Sequence, residues 1–133
     1  MDNEIRLNFP GGLRVEAEIR GFTVATDQPH LQGGGASAPA PFDLFLASIA
    51  SCAGFYVLSF LRSRHMNMAG TSVVMRTEKN QETRRIDRIL IDVRLPAGFP
   101  DKYRRAVIKA VDSCAVKKHI LEPPEFVITA SSG

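Results

Sequence analysis

Residues 44–61 read LFLASIASCAGFYVLSFL, eighteen residues without a charge and with Cys52 near their centre. The run just meets the length of a membrane span, and Arg62 and Arg64 behind it are suitable flanks. Its middle argues for a different setting. Ala47, Ser48, Ala50, Ser51, Cys52, Ala53 and Gly54 are small and partly polar, which suits a helix packed closely against protein on all sides. Pro41 fits the first helical position and Asp43 the first turn, where a carboxylate complements the helix dipole, so a helix over 41–64 inside a water-soluble domain is expected. No membrane is expected.

Outward from this helix the pattern turns to strands. In 13–20 Leu13, Val15, Ala17 and Ile19 alternate with Arg14, Glu16, Glu18 and Arg20, a period of two that predicts a strand with one wet face. Ile5, Leu7 and Phe9 alternate likewise before Pro10-Gly11-Gly12, which predicts a hairpin closed by that turn, and 22–26 adds a short third strand. Residues 32–41, QGGGASAPAP, predict a flexible loop; Gly33, Gly34 and Gly35 have no Lys-Ser/Thr after them, so a hinge is expected and a phosphate loop is not.

Beyond the helix, 72–77 and 86–95 predict two more strands, the second with Ile89, Ile91, Val93 and Leu95 on one face, joined by a polar hairpin loop. Asp101 is placed to cap a second helix whose apolar stripe, Tyr103, Ala106, Val107, Ala110, Val111 and Cys114, puts Cys114 on the buried face. Pro123-Pro124 ends helix, and EFVIT over 125–129 predicts a closing strand. The element order gives an α+β fold.

The chain has 133 residues, 44% apolar and 23% charged, enough for one packed core, so 1–133 is expected to be a single domain. It has neither a repeat nor a low-complexity tract, which excludes disordered and solenoid classes. A net charge of +3 with interleaved signs gives nucleic acid or an anionic membrane little to bind. The start MDNEIRLNF lacks a basic segment followed by an apolar one, so a cytoplasmic location is expected. Two cysteines cannot staple a secreted scaffold; in a reducing compartment Cys52 and Cys114 are either inert buried thiols or a redox pair. His30, His65 and His119 show no metal-ligand spacing with them, so no metal site is expected.

A helix apolar around its whole circumference must be covered on every side, and the predicted strands are few and one-faced. Packing two copies of the long helix together, with sheets from both chains outside them, predicts an obligate homodimer with a large apolar interface.

The stretch PAPFDLFLASIASC over 39–52, followed 62 positions later by Cys114 in DSCAVKKHILEPPEF, resembles the OsmC/Ohr superfamily of osmotically inducible and organic-hydroperoxide-resistance proteins. The resemblance covers roughly 11–130 and includes the loop DQPHLQGGGASAP. It implies two central helices flanked by antiparallel sheets in an intertwined homodimer, with a thiol peroxidase site at the subunit boundary. Cys52 would then attack an organic or lipid hydroperoxide, Cys114 would resolve the sulfenic acid to a disulfide, and an external dithiol would reduce it, with no cofactor.

Desolvation raises the pKa of a thiol within an apolar helix, so Cys52 needs a positive neighbour. The family's arginine has its closest counterpart in Arg14, with Arg20 in reserve. Asp43 stands for the family's acid, one residue after the position that peroxide-reducing branches use, where this chain has Phe42; Ala115 stands where the family often has proline. Nine residues of helix separate Asp43 from Cys52 by roughly 13 Å at ~1.5 Å per residue, so antiparallel helix pairing is expected to bring Asp43 of one subunit toward Cys52 of the other. Phe42, Phe45, Phe55 and Tyr56 are the expected walls of an apolar substrate pocket. The competing expectation is a non-catalytic ligand-binding dimer, favoured by Phe42 in the acid's place, or a redox sensor.

Overall fold

The computed structural model describes residues 3–133; Met1 and Asp2, the first two residues of the start on which the location was read, lie outside the described residues. Five strands and three α-helices make an α+β fold: β1 (Arg6–Gly11), β2 (Arg14–Ile19), β3 (Phe22–Thr26), α1 (Pro41–Ser63), β4 (Ser72–Lys79), β5 (Ile86–Arg94), α2 (Asp101–Asp112) and α3 (Ala115–Leu121). Two compact units divide the chain, Met1–Ala47 and Ser48–Gly133, with the boundary inside α1.

In the first unit β1, β2 and β3 pair antiparallel in that order, Leu7 opposite Ala17 and Ala17 opposite Val24. The register of β1 shifts between Asn8 and Gly11, and the strand absorbs Pro10 and Gly11 that were expected in the turn. An edge strand tolerates this, because a proline there removes no required ladder bond.

The loop after β3 is pinned, contrary to the expected hinge. Asp27 is 2% exposed, and its carboxylate accepts hydrogen bonds from the Gln28 amide at 2.7 Å, the Gly35 amide at 3.4 Å, the Ser37 amide at 3.1 Å and the Ser37 hydroxyl at 2.5 Å. These donors hold the ionised form, with the Ser37 hydroxyl the largest influence, and lower the pKa of Asp27 from 3.8 to about 2. Gly34 is packed so tightly that a Cβ there would stand 2.0 Å from the Gln28 carbonyl oxygen, so glycine serves closeness of approach here.

Helix α1 begins where expected: Asp43 Oδ2 accepts the Ala40 amide at 3.0 Å, and the Leu44 amide donates to the Ala40 carbonyl at 3.2 Å. It ends in a Schellman motif. The amides of His65 and Met66 donate to Arg62 and Leu61 carbonyls at 3.0 and 2.9 Å, with His65 at φ +55° in the left-handed position usually held by glycine.

In the second unit β4 and β5 form an antiparallel pair, Val73 opposite Val93 and Met75 opposite Ile91. Val57, Phe60 and Leu61 of α1 join Phe99 and Val107 in a buried cluster, with Val93, Leu95 and Tyr103 packed against it. Each fully buried aliphatic side chain here contributes about 1.5–3 kcal/mol relative to exposure. Arg64 lies 3.9 Å from the centre of the Phe60 ring, closing the end of the cluster with a cation–π contact. Along α1 one face, Ile49, Ala53, Val57, Phe60 and Leu61, is buried, whereas Ser48, Ser51, Phe55, Ser59 and Arg62 form an exposed stripe. The helix is long and apolar enough to cross a membrane by length and composition alone.

Three sequence expectations are corrected in this unit. Pro100 occupies the cap of α2, and Asp101 opens the helix and pairs with Arg104 at 3.4 Å. The apolar stripe of α2 does not run on through Cys114, because the helix stops at Asp112 and Cys114 turns out to ψ 128° to cap α3. The strand expected over 125–129 is not formed: residues 122–133 carry no regular structure, and Phe126, Val127 and Ile128 are exposed. Pro123 and Pro124 supply no amide donors, and among the described residues no strand pairs with this segment.

The Asp27 cage yields a pH prediction. A carboxyl whose folded pKa is lowered contributes stability that is complete above its unfolded value and is lost as pH falls through the folded one, here from about 3.8 toward about 2. Asp27→Asn is expected to lower the melting temperature by several degrees at pH 7 and to flatten the fall between pH 4 and 2. Thermal melts of both proteins running parallel across that range would contradict this account.

Candidate functional site

Cys52 lies midway along α1, half-buried, and Cys114 lies at the break between α2 and α3, 3% exposed; both thiols are free. They meet in the second unit, where the Cys114 thiol donates a hydrogen bond to the Cys52 sulfur. The break is what makes the meeting possible. The Cys114 amide still donates to Val111 at 3.2 Å, while its carbonyl already accepts the Lys118 amide at 3.1 Å, so this one residue ends one helix and starts the next. The amides of the new first turn consequently face sulfur.

Their effect on ionisation is asymmetric. Burial pushes the Cys52 thiol up, but the hydrogen bonds from the Cys114 thiol and from the Val116 and Ala115 amides outweigh it, and Cys52 lies below the ordinary thiol range. Burial pushes Cys114 up, and so does donation of its proton to Cys52; the Lys117 and Val116 amides oppose this without reversing it. The two thiols are therefore inequivalent, Cys52 being the one that loses its proton first. Ala115 takes part through its backbone N–H, a group that proline at this position would lack.

Arg14 begins β2, in the first unit, and its guanidinium donates to the carbonyls of Gly11 at 3.2 Å and Pro10 at 3.4 Å in its own turn. Arg20, at φ +48°, sits at the β2–β3 turn. Asp43 is engaged as the α1 cap. The expected pocket aromatics form two ring pairs, Phe42 with Phe45 at 5.4 Å between centroids and Phe55 with Tyr56 at 5.7 Å. Phe42 and Phe55 are exposed.

The second unit instead contains a cavity of about 580 Å³ that the sequence did not reveal. Its walls are Ile49 and Ala53 of α1, Ile86, Ile89, Ile91 and Val93 of β5, Val107, Ile108 and Val111 of α2, and Cys114, with Ile120 of α3. Neither Phe55 nor Tyr56 is among them, and neither is Cys52. Charged wall members are Asp87, Asp92, Asp112, Arg104 and Lys117; the Lys117 ammonium pairs with the Asp112 carboxylate. The apolar alternation of 86–95 and the stripe of α2 were the available signals, but both are equally the signature of a filled core. Among the described residues no group of three or more His, Cys, Asp or Glu side chains could hold a metal ion.

The hydrogen bond between the thiols is open to titration. In a Cys114→Ala protein, which lacks the donor, the thiolate absorbance of Cys52 is expected to appear at higher pH than in Cys114→Ser, whose hydroxyl can still donate. Coincident titration curves for the two variants would remove the thiol–thiol bond as a cause of Cys52 ionisation.

Comparison with known proteins bears on the whole arrangement. A structure provisionally described as an osmotic stress induced and detoxification response protein from Psychrobacter arcticus 273-4 superposes with a TM-score of 0.71 at 24% identity, covering 86% of this chain and 85% of that one. A second, a structural genomics structure, gives 0.69 at 21% over 90% of each chain. A Legionella pneumophila structure described as an organic hydroperoxide resistance protein OsmC gives 0.52 at 17% over 88% of each. At these identities the likeness is one of fold. No curated protein matches the chain. The family model of OsmC-like proteins matches residues 33–129, most of the chain and both cysteines, and the chain therefore belongs to the OsmC-like protein family.

Proposed function

We propose that this protein is a thiol-dependent peroxidase that reduces organic or lipid hydroperoxides through a reversible Cys52–Cys114 pair. The observation that carries the reading is the contact between the two thiols, in which the Cys114 thiol and two backbone amides lower the pKa of Cys52. Membership of the OsmC-like family supports it, and one structural neighbour is described as an organic hydroperoxide resistance protein.

In this reading the Cys52 thiolate attacks an oxygen of ROOH. The O–O bond breaks, alkoxide leaves and takes up a proton to become ROH, and Cys52 becomes a sulfenic acid. The Cys114 sulfur then attacks the Cys52 sulfur, the S–O bond breaks, and hydroxide leaves as water with the Cys114 proton, giving a disulfide. Two electrons have passed from two thiols to the peroxide. An external dithiol returns the pair to the reduced state. Activation of Cys52 draws on the Cys114 thiol and the Ala115 and Val116 amides, and Arg14 and Asp43 keep in this reading the cation and acid roles that the resemblance implies.

A homodimer and a cytoplasmic location belong to the same proposal. Only 28% of the apolar window of α1 is buried within the chain, and Phe55 on its exposed stripe is 60% exposed, which leaves a face for a second copy. Phe55→Asp is expected to shift the protein from dimer to monomer in sedimentation; a variant that sediments with the wild type excludes this face from the interface.

Counting free thiols during titration with cumene hydroperoxide tests the chemistry. The wild type is expected to lose two thiols per chain within seconds to minutes, Cys114→Ser to form a sulfenic acid without a disulfide, and Cys52→Ser to stay reduced. Two thiols persisting after minutes in excess peroxide would replace the peroxidase with a ligand-binding dimer.

A further inference from the structure

Little of its own packing holds the short helix α3 in place. None of its side chains is buried, and only Val116 and Lys117 are half-buried, whereas α2 is rooted in the core through the fully buried Val107. A seven-residue helix is marginal by itself in water, so it needs a tether. The main chain supplies little of one. At the break the Ser113 and Cys114 amides donate back to the Ala110 and Val111 carbonyls at 3.1 and 3.2 Å, but the amides of Ala115, Val116 and Lys117 go to sulfur.

An ion pair fills that place. The Lys117 ammonium, in the first turn of α3, pairs with the carboxylate of Asp112, the last residue of α2, and among the described residues no other ion pair joins the two helices. Each partner stands at the wrong end of its own helix, since an acid at a C-terminus and a base in a first turn both oppose the helix dipole. Two breaches of a local rule that are made good only by pairing across the break point to a task at the break. Lys117 reaches the thiols through its main-chain amide, and its ammonium is taken by Asp112.

We propose that Asp112 and Lys117 are positioning residues for the thiol pair: their ion pair bridges the α2–α3 break and holds the amides of 115–117 against the two sulfurs. The inference rests on the reading of Cys52 as the reactive thiol and adds to it what keeps the amide donors aligned. The two side chains act through the backbone between them, which turns from ψ 8° at Ser113 to ψ 128° at Cys114. Asp112 and Lys117 are 66% and 44% exposed, so their pair adds little to overall stability, and a modest loss of alignment is the effect to measure.

The two ways in which Asp112 could act have opposite signs, and the test uses this. Removing a carboxylate near a thiol favours the thiolate by charge alone, whereas losing amide donors disfavours it. Cys52 of the reduced full chain is titrated through its rate of alkylation by iodoacetamide as a function of pH, with the adduct located by peptide mass spectrometry. Asp112→Asn is expected to move the midpoint upward by about half a unit, a roughly threefold loss of alkylation rate below it. Asp112→Glu, and the charge-swapped protein carrying Asp112→Lys with Lys117→Asp, are expected to restore the wild-type midpoint. Amide hydrogen exchange at 115–117 is expected to quicken in Asp112→Asn alone, with slow exchange of the Val107 amide monitoring the fold. The other charged members of the cavity wall, Asp87, Asp92 and Arg104, and Lys118 and His119 of α3 are the same in every variant, so their field cancels in the comparison. A midpoint that stays or falls in Asp112→Asn overturns the proposal, as does a charge-swapped protein that titrates like Asp112→Asn. Alkylation needs no peroxide: if cumene hydroperoxide leaves both thiols intact while the midpoints follow this order, the peroxidase reading falls and the positioning role stands.

Discussion

The interruption of the helical path at Cys114 is the constraint on which the site depends. Had α2 continued through its apolar stripe, the amides of residues 115–117 would be spent on carbonyls one turn back, and none would be left for sulfur. Stopping at Asp112 frees them. Ser113 closes the old helix, its hydroxyl donating to the Lys109 carbonyl at 3.2 Å, and Cys114 opens the new one, so a seven-residue helix supplies donors to a buried thiol pair. Polarity reaches the interior through the main chain, without burying a charged side chain and incurring its desolvation cost.

Much of the architecture was legible from periodicity. The two-residue alternation of 13–20 and 86–95 and the charge-free run around Cys52 each admit one regular structure, and the chain adopts it. The start of α1 was equally readable, because Pro41 and Asp43 are residues that act locally. What escaped depends on contacts distant in sequence or on a break without punctuation. No glycine or proline stands between Asp112 and Ala115, so nothing local marks the end of α2. Asp27 received no role from the sequence, although its position ahead of a glycine-rich segment offered the amides it collects. Segment 125–129 has strand composition, yet a strand needs a neighbouring edge, and composition cannot supply one.

The candidate site was partly legible for the same reason. Family resemblance named both cysteines, and the structure brings them together. The main-chain contribution was not visible: the backbone amides and the thiol bonded to Cys52 carry no signature in the letters of the sequence. The cavity was hidden likewise, since Ile89, Ile91, Val107 and Val111 have the pattern of core residues whether the space between them is filled or open.

The opposite shifts of the two thiols also govern what else the pair can hold. Soft cations such as zinc or copper(I) bind thiolates, and a two-sulfur chelator delivers its full affinity only when both sulfurs have lost their protons. Here the bond that lowers the pKa of Cys52 raises that of Cys114, so the second proton is the harder one to remove. Adventitious metal is thereby discouraged from occupying the same sulfurs that must stay open to oxidants.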